Sequence, residues 1–405
     1  MDPTAPCRLE GVVRNYPWGS RTAIPELLGR AATGEAQAEL WLGAHASAPA
    51  RAVNAAGEGI ALDAWIRRDP EAVLGRDVAH RFGGELPFLL KVLAAEAPLS
   101  IQAHPSAAQA RAGFERENAA GLAPDAPERS YRDPRPKPEL ICALGPFRAL
   151  CRFREPGEIA RRIRALGVPE LEALLTPLLE APDGVGLRDF LAAWLTLDEA
   201  VRVPLVARAV DAASRVADPD GALAVVSRLA AFHPGDAGVL APLFLHCVEL
   251  APGEAMYMPE GELHGYLEGV GVELMASSDN VLRGGLTRKH VDVPELLATL
   301  RFEAGAVERL RARPAGPHES VWDTPAEAFR LSVIRGSPGA AWRSGDRAGA
   351  EILLCTGGEG ALLDGRGGRL SLVRGSAALV PAAAGSYAIE GACVIYRAAV
   401  GAPPS

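Results

Sequence analysis

Residues 99–105, LSIQAHP, alternate between apolar and polar side chains and end at a proline. In a β-strand, side chains two positions apart lie on the same face of the sheet. The alternation therefore predicts a strand with Ser100, Gln102 and His104 on one face and apolar side chains on the other. Because these polar groups can bind a metal or a hydrogen-bonding ligand, we expect this face to line a polar site on a β-sheet.

The composition is that of an ordinary globular protein. With 405 residues the chain exceeds the usual size of one domain, so two or three domains are expected. Apolar residues account for 48% and charged residues for 23%, which argues against a disordered protein. The formal net charge is −8 and the sequence contains no basic stripe, so we expect no nucleic-acid partner.

The cysteines and the apolar segments favour a cytoplasmic protein. The six cysteines form no C-x-x-C pair, so neither a disulfide framework nor a cysteine–zinc site is indicated. Residues 1–11, MDPTAPCRLEG, do not combine a basic segment with an apolar run, so no signal peptide is expected. No apolar run reaches about 18 residues, and we therefore expect no membrane association.

The periodicity of the chain changes twice and predicts three parts. Residues 1–153 and 234–312 contain short strand-like runs separated by Pro and Gly, whereas residues 154–233 carry apolar residues at helical spacing. Residues 313–405 again show short strands with Gly-rich turns. We predict a mainly β protein of sandwich or jelly-roll type, with a helical domain inserted into the first β domain.

A second concentration of polar residues lies at 253–269, GEAMYMPEGELHGYLEG. Gly253, Pro259, Gly261 and His264 have the spacing G-x5-P-x-G-x2-H, which resembles the second motif of the cupin family. That resemblance implies that His264 points into a barrel as a metal ligand. The family pattern ends with asparagine, whereas this chain has Glu268.

The third polar segment is residues 131–144, YRDPRPKPELICAL. Pro136 and Pro138 favour an extended backbone, so Lys137 and Glu139 are expected to project the same way. Glu139 can then join the polar face of residues 99–105 and the cupin-type histidine.

These segments together predict a metal site with two imidazoles, one carboxylate and one carboxamide, from His104, His264, Glu139 and Gln102. Such nitrogen and oxygen donors suit one zinc ion per chain with an open position for substrate. Three neutral ligands and one carboxylate leave a charge near +1, so the ion stays a strong Lewis acid.

Seven segments, in order along the whole chain, resemble the type I phosphomannose isomerases: NYPWGS (15–20), AELWLGAH (38–45), LPFLLKVL (86–93), LSIQAHP (99–105), KPEL (137–140), LHGYLEG (263–269) and SSDNVLRGGLTRKHVDVPEL (277–296). The resemblance implies zinc-dependent interconversion of mannose 6-phosphate and fructose 6-phosphate. It also implies a cupin catalytic domain (1–153 and 234–312), an inserted helical domain (154–233) and a C-terminal jelly roll (313–405). The family's zinc ligands correspond to Gln102, His104, Glu139 and His264.

An aldose–ketose isomerase must move a proton between C1 and C2 and hold negative charge on an enediolate. We assign the proton transfer to Glu273, because it lies on an apolar strand where burial can raise its pKa. Arg283 precedes two glycines in a basic loop, which suits a phosphate or a developing negative charge. Lys137 is the third residue assigned to catalysis. The resemblance also implies a set of substrate-binding residues: Glu39, Lys91, Ser100, Tyr266, Asp279 and Lys289.

Two positions depart from the family pattern. The family usually has asparagine and histidine where this chain has Arg135 and Pro136, so a proton-transfer role of that histidine cannot operate here. The family segment ALCGFR has Arg152 in place of its glycine, which we expect to alter packing more than chemistry.

Other motifs predict structural roles. Gly375 and Pro381 repeat the cupin spacing without the following histidine, so the C-terminal jelly roll is expected to hold no metal. Glu262 and Glu268 are predicted to be solvated turn carboxylates. The remaining histidines have no partner pattern and are predicted to be structural or at the surface: His45, His80, His233, His246, His290 and His318.

Two other functions remain open at this point. Another metal-dependent bicupin enzyme, for instance an iron oxygenase, would usually have a site richer in histidine. A non-catalytic sugar-phosphate-binding protein would not need the intact set of ligands and Glu273. The favoured prediction is a monomeric isomerase whose partner is a small sugar phosphate.

Overall fold

The computed structural model describes residues 1–402. The β-strands are β1 (Cys7–Glu10), β2 (Val12–Arg14), β3 (Glu39–Leu42), β4 (Arg51–Val53), β5 (Gly59–Ala61), β6 (Phe88–Ala95), β7 (Ile101–Ala103), β8 (Glu139–Ala143), β9 (Phe147–Phe153), β10 (Leu245–Leu250), β11 (Glu254–Met258), β12 (His264–Ala276), β13 (Leu282–Gly285), β14 (Leu310–Arg311), β15 (Arg313–Gly316), β16 (Glu319–Trp322), β17 (Arg330–Arg335), β18 (Trp342–Arg343), β19 (Glu351–Asp364), β20 (Arg369–Val373), β21 (Ala377–Val380) and β22 (Tyr387–Ala399).

The helices are mostly short. They are α1 (Ala23–Leu27), α2 (Leu62–Arg68), α3 (Pro70–Leu74), α4 (Arg76–Arg81), α5 (Ala107–Ala119), α6 (Pro156–Ala165), α7 (Pro169–Ala173), α8 (Thr176–Glu180), α9 (Gly184–Leu195), α10 (Glu199–Ala213), α11 (Ala222–Phe232) and α12 (Val293–Thr299). Two 3₁₀ helices span Ala237–Leu243 and Ala382–Ala384. None of the helices within residues 1–402 is long and apolar enough to cross a membrane.

Two large antiparallel sheets form the body of the molecule. The first has the order β15-β16-β17-β22-β19-β21-β1-β4-β5, with β18 on β22 and β20 on β19. The second has the order β14-β11-β8-β12-β6-β3-β2, and it is extended by β7, β9, β10 and β13. The expectation of a mainly β protein with some helices is therefore confirmed.

Strand β12 organises the second sheet because its two halves pair with different neighbours. Residues 269–276 lie between β6 and β8, whereas the first half of the strand pairs with β7 and β9. The register shifts between Tyr266 and Glu268, which marks a β-bulge. A bulge bends a strand and changes which face the following side chains occupy.

A shared apolar core holds the two sheets together. Leu90, Val92 and Leu274 of the second sheet are buried in one cluster with Leu331 and Ile352 of the first. A separate apolar cluster lines the other face of the second sheet, and Tyr266 belongs to it. The second sheet is therefore covered on both faces, and its charged side chains on the Tyr266 face lie in an interior.

The helices α6–α11 follow β9 and precede β10 in the chain. Asp183 caps α9 by accepting hydrogen bonds from the backbone N–H groups of Val185 (2.8 Å) and Gly186 (3.3 Å). Ile159 and Ile163 are buried at helical spacing and share an apolar cluster with Ile101 of β7. This cluster supports β7, the strand predicted from LSIQAHP, from its apolar side.

The strands from the start of the chain join the sheet built by its end. Strand β1 pairs with β21, and β4 and β5 continue the same sheet beyond β1. Sequence periodicity gives no sign of this arrangement, because it reports which residues are buried but not which strand lies alongside.

A buried charge network occupies the interior of the first sheet. Glu351, which is 1% exposed, accepts a hydrogen bond from the Tyr387 hydroxyl (2.6 Å) and one from Arg397 Nε (3.1 Å). Arg347 Nε lies 3.5 Å from the same carboxylate. Charges taken out of water in this way are stable only while they stay paired.

Replacing Glu351 by alanine should lower the free energy of unfolding by about 3–5 kcal/mol, because two buried guanidinium groups lose their carboxylate. Urea denaturation followed by tryptophan fluorescence measures this difference. Glu390→Ala is the matched control, because this carboxylate pairs with Arg369 at the surface of the same sheet and should change stability by only about 0.5 kcal/mol. Equal losses in the two variants would contradict the prediction.

Candidate metal centre

Three side chains from different strands converge in the interior of the second sheet. One ligand atom each of His104, Glu139 and His264 lies within 4.8 Å of the others, and all three residues are buried. His104 Nε2 is 3.2 Å from Glu139 Oε1, and His264 Nε2 is 3.4 Å from Glu139 Oε2. His264 opens β12, Glu139 opens β8, and His104 directly follows β7.

Backbone carbonyls determine the orientation of both imidazoles. His104 Nδ1 lies 2.8 Å from the carbonyl oxygen of Asn280, and His264 Nδ1 lies 3.0 Å from that of Glu262. A carbonyl oxygen only accepts, so each Nδ1 donates and each Nε2 keeps its lone pair in the neutral ring. Both lone pairs then point toward the Glu139 carboxylate.

The donor atoms fit a bound cation. His104 Nε2, His264 Nε2 and Glu139 Oε2 are buried and make no hydrogen bond within residues 1–402. Buried acceptors without partners are costly, and a metal ion satisfies all three at once. Metal-binding histidines usually donate a hydrogen bond from their second ring N–H to a carbonyl or carboxylate, as both imidazoles do here.

Gln102 lies at the centre of β7 and faces this cluster. In the strand register it is directly opposite His264 on β12 and Arg283 on β13. Residues opposite one another on neighbouring strands share a face. Ile101 and Ala103 point the other way into the helical core, so the alternation along the strand brings Gln102 to the metal-binding face.

The Glu139 carboxylate is also an ion-pair partner. Lys137 Nζ lies 3.0 Å from Glu139 Oε1, and both residues are buried. Burial alone would raise the pKa of Glu139, but Lys137 and His104 outweigh it and hold this pKa well below its usual range. The carboxylate is therefore ionised and available as a ligand. The extended Lys137-Pro138-Glu139 segment accounts for both side chains projecting the same way.

Glu273, nine residues after His264, reaches the same interior because of the bulge in β12. Strict alternation would place these two residues on opposite faces. After the bulge, Val272 and Leu274 face the core between the sheets, and Glu273 faces the interior with Met275, the register partner of Glu139.

A second charged cluster surrounds Glu273. Lys91 Nζ lies 3.1 Å from Glu273 Oε2 and 3.6 Å from Glu39 Oε1. Burial raises the pKa of Glu273, with Glu139 and Glu39 adding to the effect and Lys91 opposing it. Burial would lower the pKa of Lys91, but the surrounding carboxylates outweigh burial and raise it. The sheet thus holds a carboxylate and an ammonium group beside the metal-binding face.

Two further predicted residues lie next to these clusters. The Tyr266 hydroxyl is buried and has no hydrogen-bond partner within residues 1–402. Burial, reinforced by Glu273 and Glu139, raises its pKa well above the usual value, so the phenol keeps its proton and can donate it. Ser100 is half-buried directly before β7, where the backbone N–H of Leu99 donates to the carbonyl of Tyr266 (2.8 Å).

Asn280 connects two loops to the metal centre and was missed by the sequence analysis. Its Oδ1 accepts from the backbone N–H groups of Arg132 (2.7 Å) and Asp133 (3.2 Å). Its Nδ2 donates to the carbonyls of Asp133 (2.7 Å) and Arg135 (2.8 Å). Because its own carbonyl accepts from His104, this fully buried residue determines where a metal-binding imidazole points. Its position in the loop after β12 could not be related to His104 by spacing.

Three basic residues gather beside these loops. Burial lowers the pKa of Arg283, and the nearby Arg132 lowers it further. Burial and both arginines lower the pKa of Lys289. Within residues 1–402 none of the three makes an ion pair, whereas Asp279 pairs with His45 at 3.2 Å. Arg132 was missed by the sequence analysis, because its neighbours are charged as well.

The prediction that Glu262 is a solvated turn carboxylate is wrong. Glu262 is buried and accepts two hydrogen bonds from Arg152, at 3.1 Å and 3.0 Å. Arg152 has φ +58°, a left-handed backbone conformation that favours glycine. Glu268 is partly exposed and pairs with Arg148 at 2.8 Å.

The fold and these donors define a metal-dependent enzyme built on an antiparallel β-sheet. Residues 7–156 match the sequence model of the phosphomannose isomerase type I catalytic domain. The mannose-6-phosphate isomerase of Escherichia coli (strain K12) is 39% identical over 389 residues, which cover 95% of this chain and 97% of that protein. The chain belongs to the type I phosphomannose isomerase family.

A relative from Salmonella typhimurium agrees with this assignment in both sequence and structure. The mannose-6-phosphate isomerase of this organism is 40% identical over 88% of this chain and 90% of that protein. A crystal structure of that enzyme bound to substrate, fructose 6-phosphate, and zinc has a TM-score of 0.90 at 35% identity. It covers 98% of this chain and 100% of the crystallised chain.

Replacing Asn280 by alanine should weaken zinc binding by roughly 10- to 100-fold, because the carbonyl that orients His104 loses its support. Competition with a chromogenic chelator measures the zinc affinity of the metal-free protein, and circular dichroism checks that the fold is retained. Asn54→Ala is the control, because Asn54 lies in the turn between β4 and β5 of the other sheet. Wild-type zinc affinity in a folded Asn280→Ala variant would show that the carbonyl needs no side-chain support.

Proposed function

We propose that this chain is a zinc-dependent aldose–ketose isomerase that interconverts mannose 6-phosphate and fructose 6-phosphate through an enediol(ate). The observation that carries the proposal is the convergence of three buried donor atoms that have no hydrogen-bond partner within residues 1–402. They lie beside a buried carboxylate–lysine pair and a basic cluster that forms no ion pair in the same part of the chain. A metal, a proton carrier and a phosphate site are the parts that such a reaction requires. The names of the relatives support the same substrates.

Zinc is the proposed metal, one ion per chain, held by Gln102, His104, Glu139 and His264. Two imidazoles and a carboxylate are typical ligands of a catalytic zinc site, and Gln102 offers a carboxamide oxygen from the opposite strand. When bound, the ion would supply Lewis-acid polarisation of the substrate's oxygen atoms. Lys137 adds a positive charge beside the site, where it is paired with Glu139.

Glu273 is the proposed base. It takes the proton from C2 of the aldose and returns it to C1, while the hydroxyl proton moves between the two oxygens. Its burial favours a carboxyl that can both take up and release a proton, and Lys91 keeps it in place through the 3.1 Å ion pair. The alternative residues for carrying this proton are Lys137 and Asp279.

The basic cluster is the proposed phosphate site. Burial and the nearby Arg132 lower the pKa of Arg283, and burial and both arginines lower the pKa of Lys289. A phosphate dianion would relieve the repulsion among these charges. Arg283 also lies opposite Gln102 in the sheet register, which connects the phosphate site to the metal-binding face. The other proposed substrate contacts are Ser100, Tyr266, Asp279, Lys91 and Glu39.

The proposed domain organisation follows the family. A cupin domain would span residues 1–153 and 234–312, a helical insertion 154–233, and a metal-free jelly roll 313–405, of which residues 403–405 lie outside the described chain. The helices α6–α11 between β9 and β10 support the insertion. Because β1 pairs with β21, strands of the proposed first domain also form part of the sheet of the last domain. A monomeric state and a cytoplasmic location stay predictions.

Exchange of His264 for alanine should remove the metal and abolish isomerase activity, because the site loses one of two imidazoles. A coupled assay with mannose 6-phosphate and elemental analysis of the purified protein measure both. His80→Ala, on the surface-facing part of α4, should leave both unchanged. Full zinc occupancy in the His264→Ala variant would rule out the assigned ligand set, and an inactive wild-type enzyme would overturn the proposed function.

Exchange of Glu273 for glutamine should lower turnover by roughly 10²–10⁴-fold, because the side chain keeps its size and loses its proton-accepting group. Exchange of the C2 proton of mannose 6-phosphate with solvent deuterium should fall in parallel, while zinc content stays normal. Glu268→Gln on the same strand is the control, because that carboxylate pairs with Arg148 away from the interior. Near-normal turnover in Glu273→Gln would assign the proton transfer to another residue.

A further inference from the structure

His45 is a largely buried imidazole that the proposed reaction does not use. It follows β3, and its side chain is 10% exposed. His45 Nε2 lies 3.2 Å from Oδ2 of Asp279, a residue of the loop between β12 and β13. The two residues are far apart in sequence, so this contact exists only in the folded protein.

The hydrogen bonds of the ring select one tautomer. The backbone N–H of Ser47 donates to His45 Nδ1 at 3.3 Å, and Ser47 Oγ lies 2.9 Å from the same atom. Since Nδ1 accepts, the neutral ring carries its proton on Nε2 and donates it to Asp279. This is the opposite tautomer to that of His104 and His264, whose free nitrogen is Nε2.

The position of Asp279 connects this pair to the metal centre. Its backbone N–H donates to Asp133 Oδ2 at 2.8 Å, and the next residue, Asn280, orients His104 through its carbonyl. The Asp279 side chain is 43% exposed, and its only polar contact within residues 1–402 is His45. One carboxylate oxygen is therefore held and the other is available.

His45 also contacts the opposite side of the site. Its ring is edge-on to Trp41, with centroids 4.9 Å apart. The same indole lies under Lys91, at 5.3 Å from Nζ, and donates from Nε1 to Glu39 at 2.8 Å. His45 thus lies between the Asp279 loop and the strand pair that carries the charged cluster, at the rim of the interior.

We propose that His45 is a positioning residue that holds Asp279 Oδ2, so that Oδ1 accepts a hydrogen bond from a hydroxyl group of the sugar phosphate. This inference rests on the proposed function and deepens it by assigning how the sugar is oriented. A carboxylate with one fixed and one available oxygen is a directional acceptor, whereas a freely rotating carboxylate must be ordered at each binding event.

Two substitutions of His45 separate the hydrogen bond from the aromatic contact. His45→Phe keeps a ring against Trp41 and removes the N–H donor, and it should raise KM for mannose 6-phosphate roughly 10- to 100-fold with a smaller effect on kcat. His45→Gln places an amide N–H near the position of Nε2 and should restore most of the affinity. His80→Phe is the control, and zinc content should not change in any variant.

A double-mutant cycle with Asp279→Ala tests whether His45 acts through Asp279. If it does, His45→Phe should add almost nothing in the Asp279→Ala background, which lacks the acceptor for His45 Nε2. Additive effects, or a glutamine variant as impaired as the phenylalanine variant, would overturn the inference. Calorimetric binding of fructose 6-phosphate to the zinc-loaded variants gives the same comparison without turnover. An inactive wild-type enzyme would refute the proposed function, whereas an active wild-type enzyme matched by His45→Phe would refute this inference alone.

Discussion

The hydrogen bond from His104 Nδ1 to the carbonyl of Asn280 is the contact on which the site depends. Asn280 is fully buried and uses its side chain to hold the loop that leads into Lys137 and Glu139. Asn280 therefore sets the tautomer of a metal ligand through its backbone carbonyl and the path of the carboxylate-bearing segment through its side-chain amide. Asn280 also fixes the positions of its neighbour Asp279 and of the basic loop that follows.

The bulge in β12 has a comparable influence on the charged groups. It allows one strand to present His264 and Tyr266 before the irregularity and Glu273 after it to a single interior. Without it, the carboxylate next to Lys91 would face the apolar core between the sheets, where a charge is costly. The bulge thus brings the donor atoms of the metal centre and the Glu273–Lys91 pair to the same interior face of the sheet.

The sequence predicts the composition of this site better than its geometry. Alternation in LSIQAHP and the prolines around Lys137 are local signals, and local backbone conformation determines which way those side chains point. Asn280, Arg132 and His45 carry no such signal, because their importance comes from partners on distant strands. Periodicity also could not predict which face of the sheet Glu273 occupies. A single extra residue in a strand moves every following side chain to the opposite face. The general fold follows from the change between strand-like and helical periods, whereas the pairing order of the strands does not.

The pairing of β1 with β21 limits when, during synthesis of the chain, the first sheet can form. Cys7 lies opposite Leu379, so β1 finds its neighbour only after the residues between them have been synthesised. Until then β1 has an unpaired edge, and the face of the second sheet that packs against the first lacks its apolar cover. Such long-range pairings fold slowly, and an unpaired strand edge beside an uncovered apolar face is the feature that makes an incomplete chain prone to aggregate.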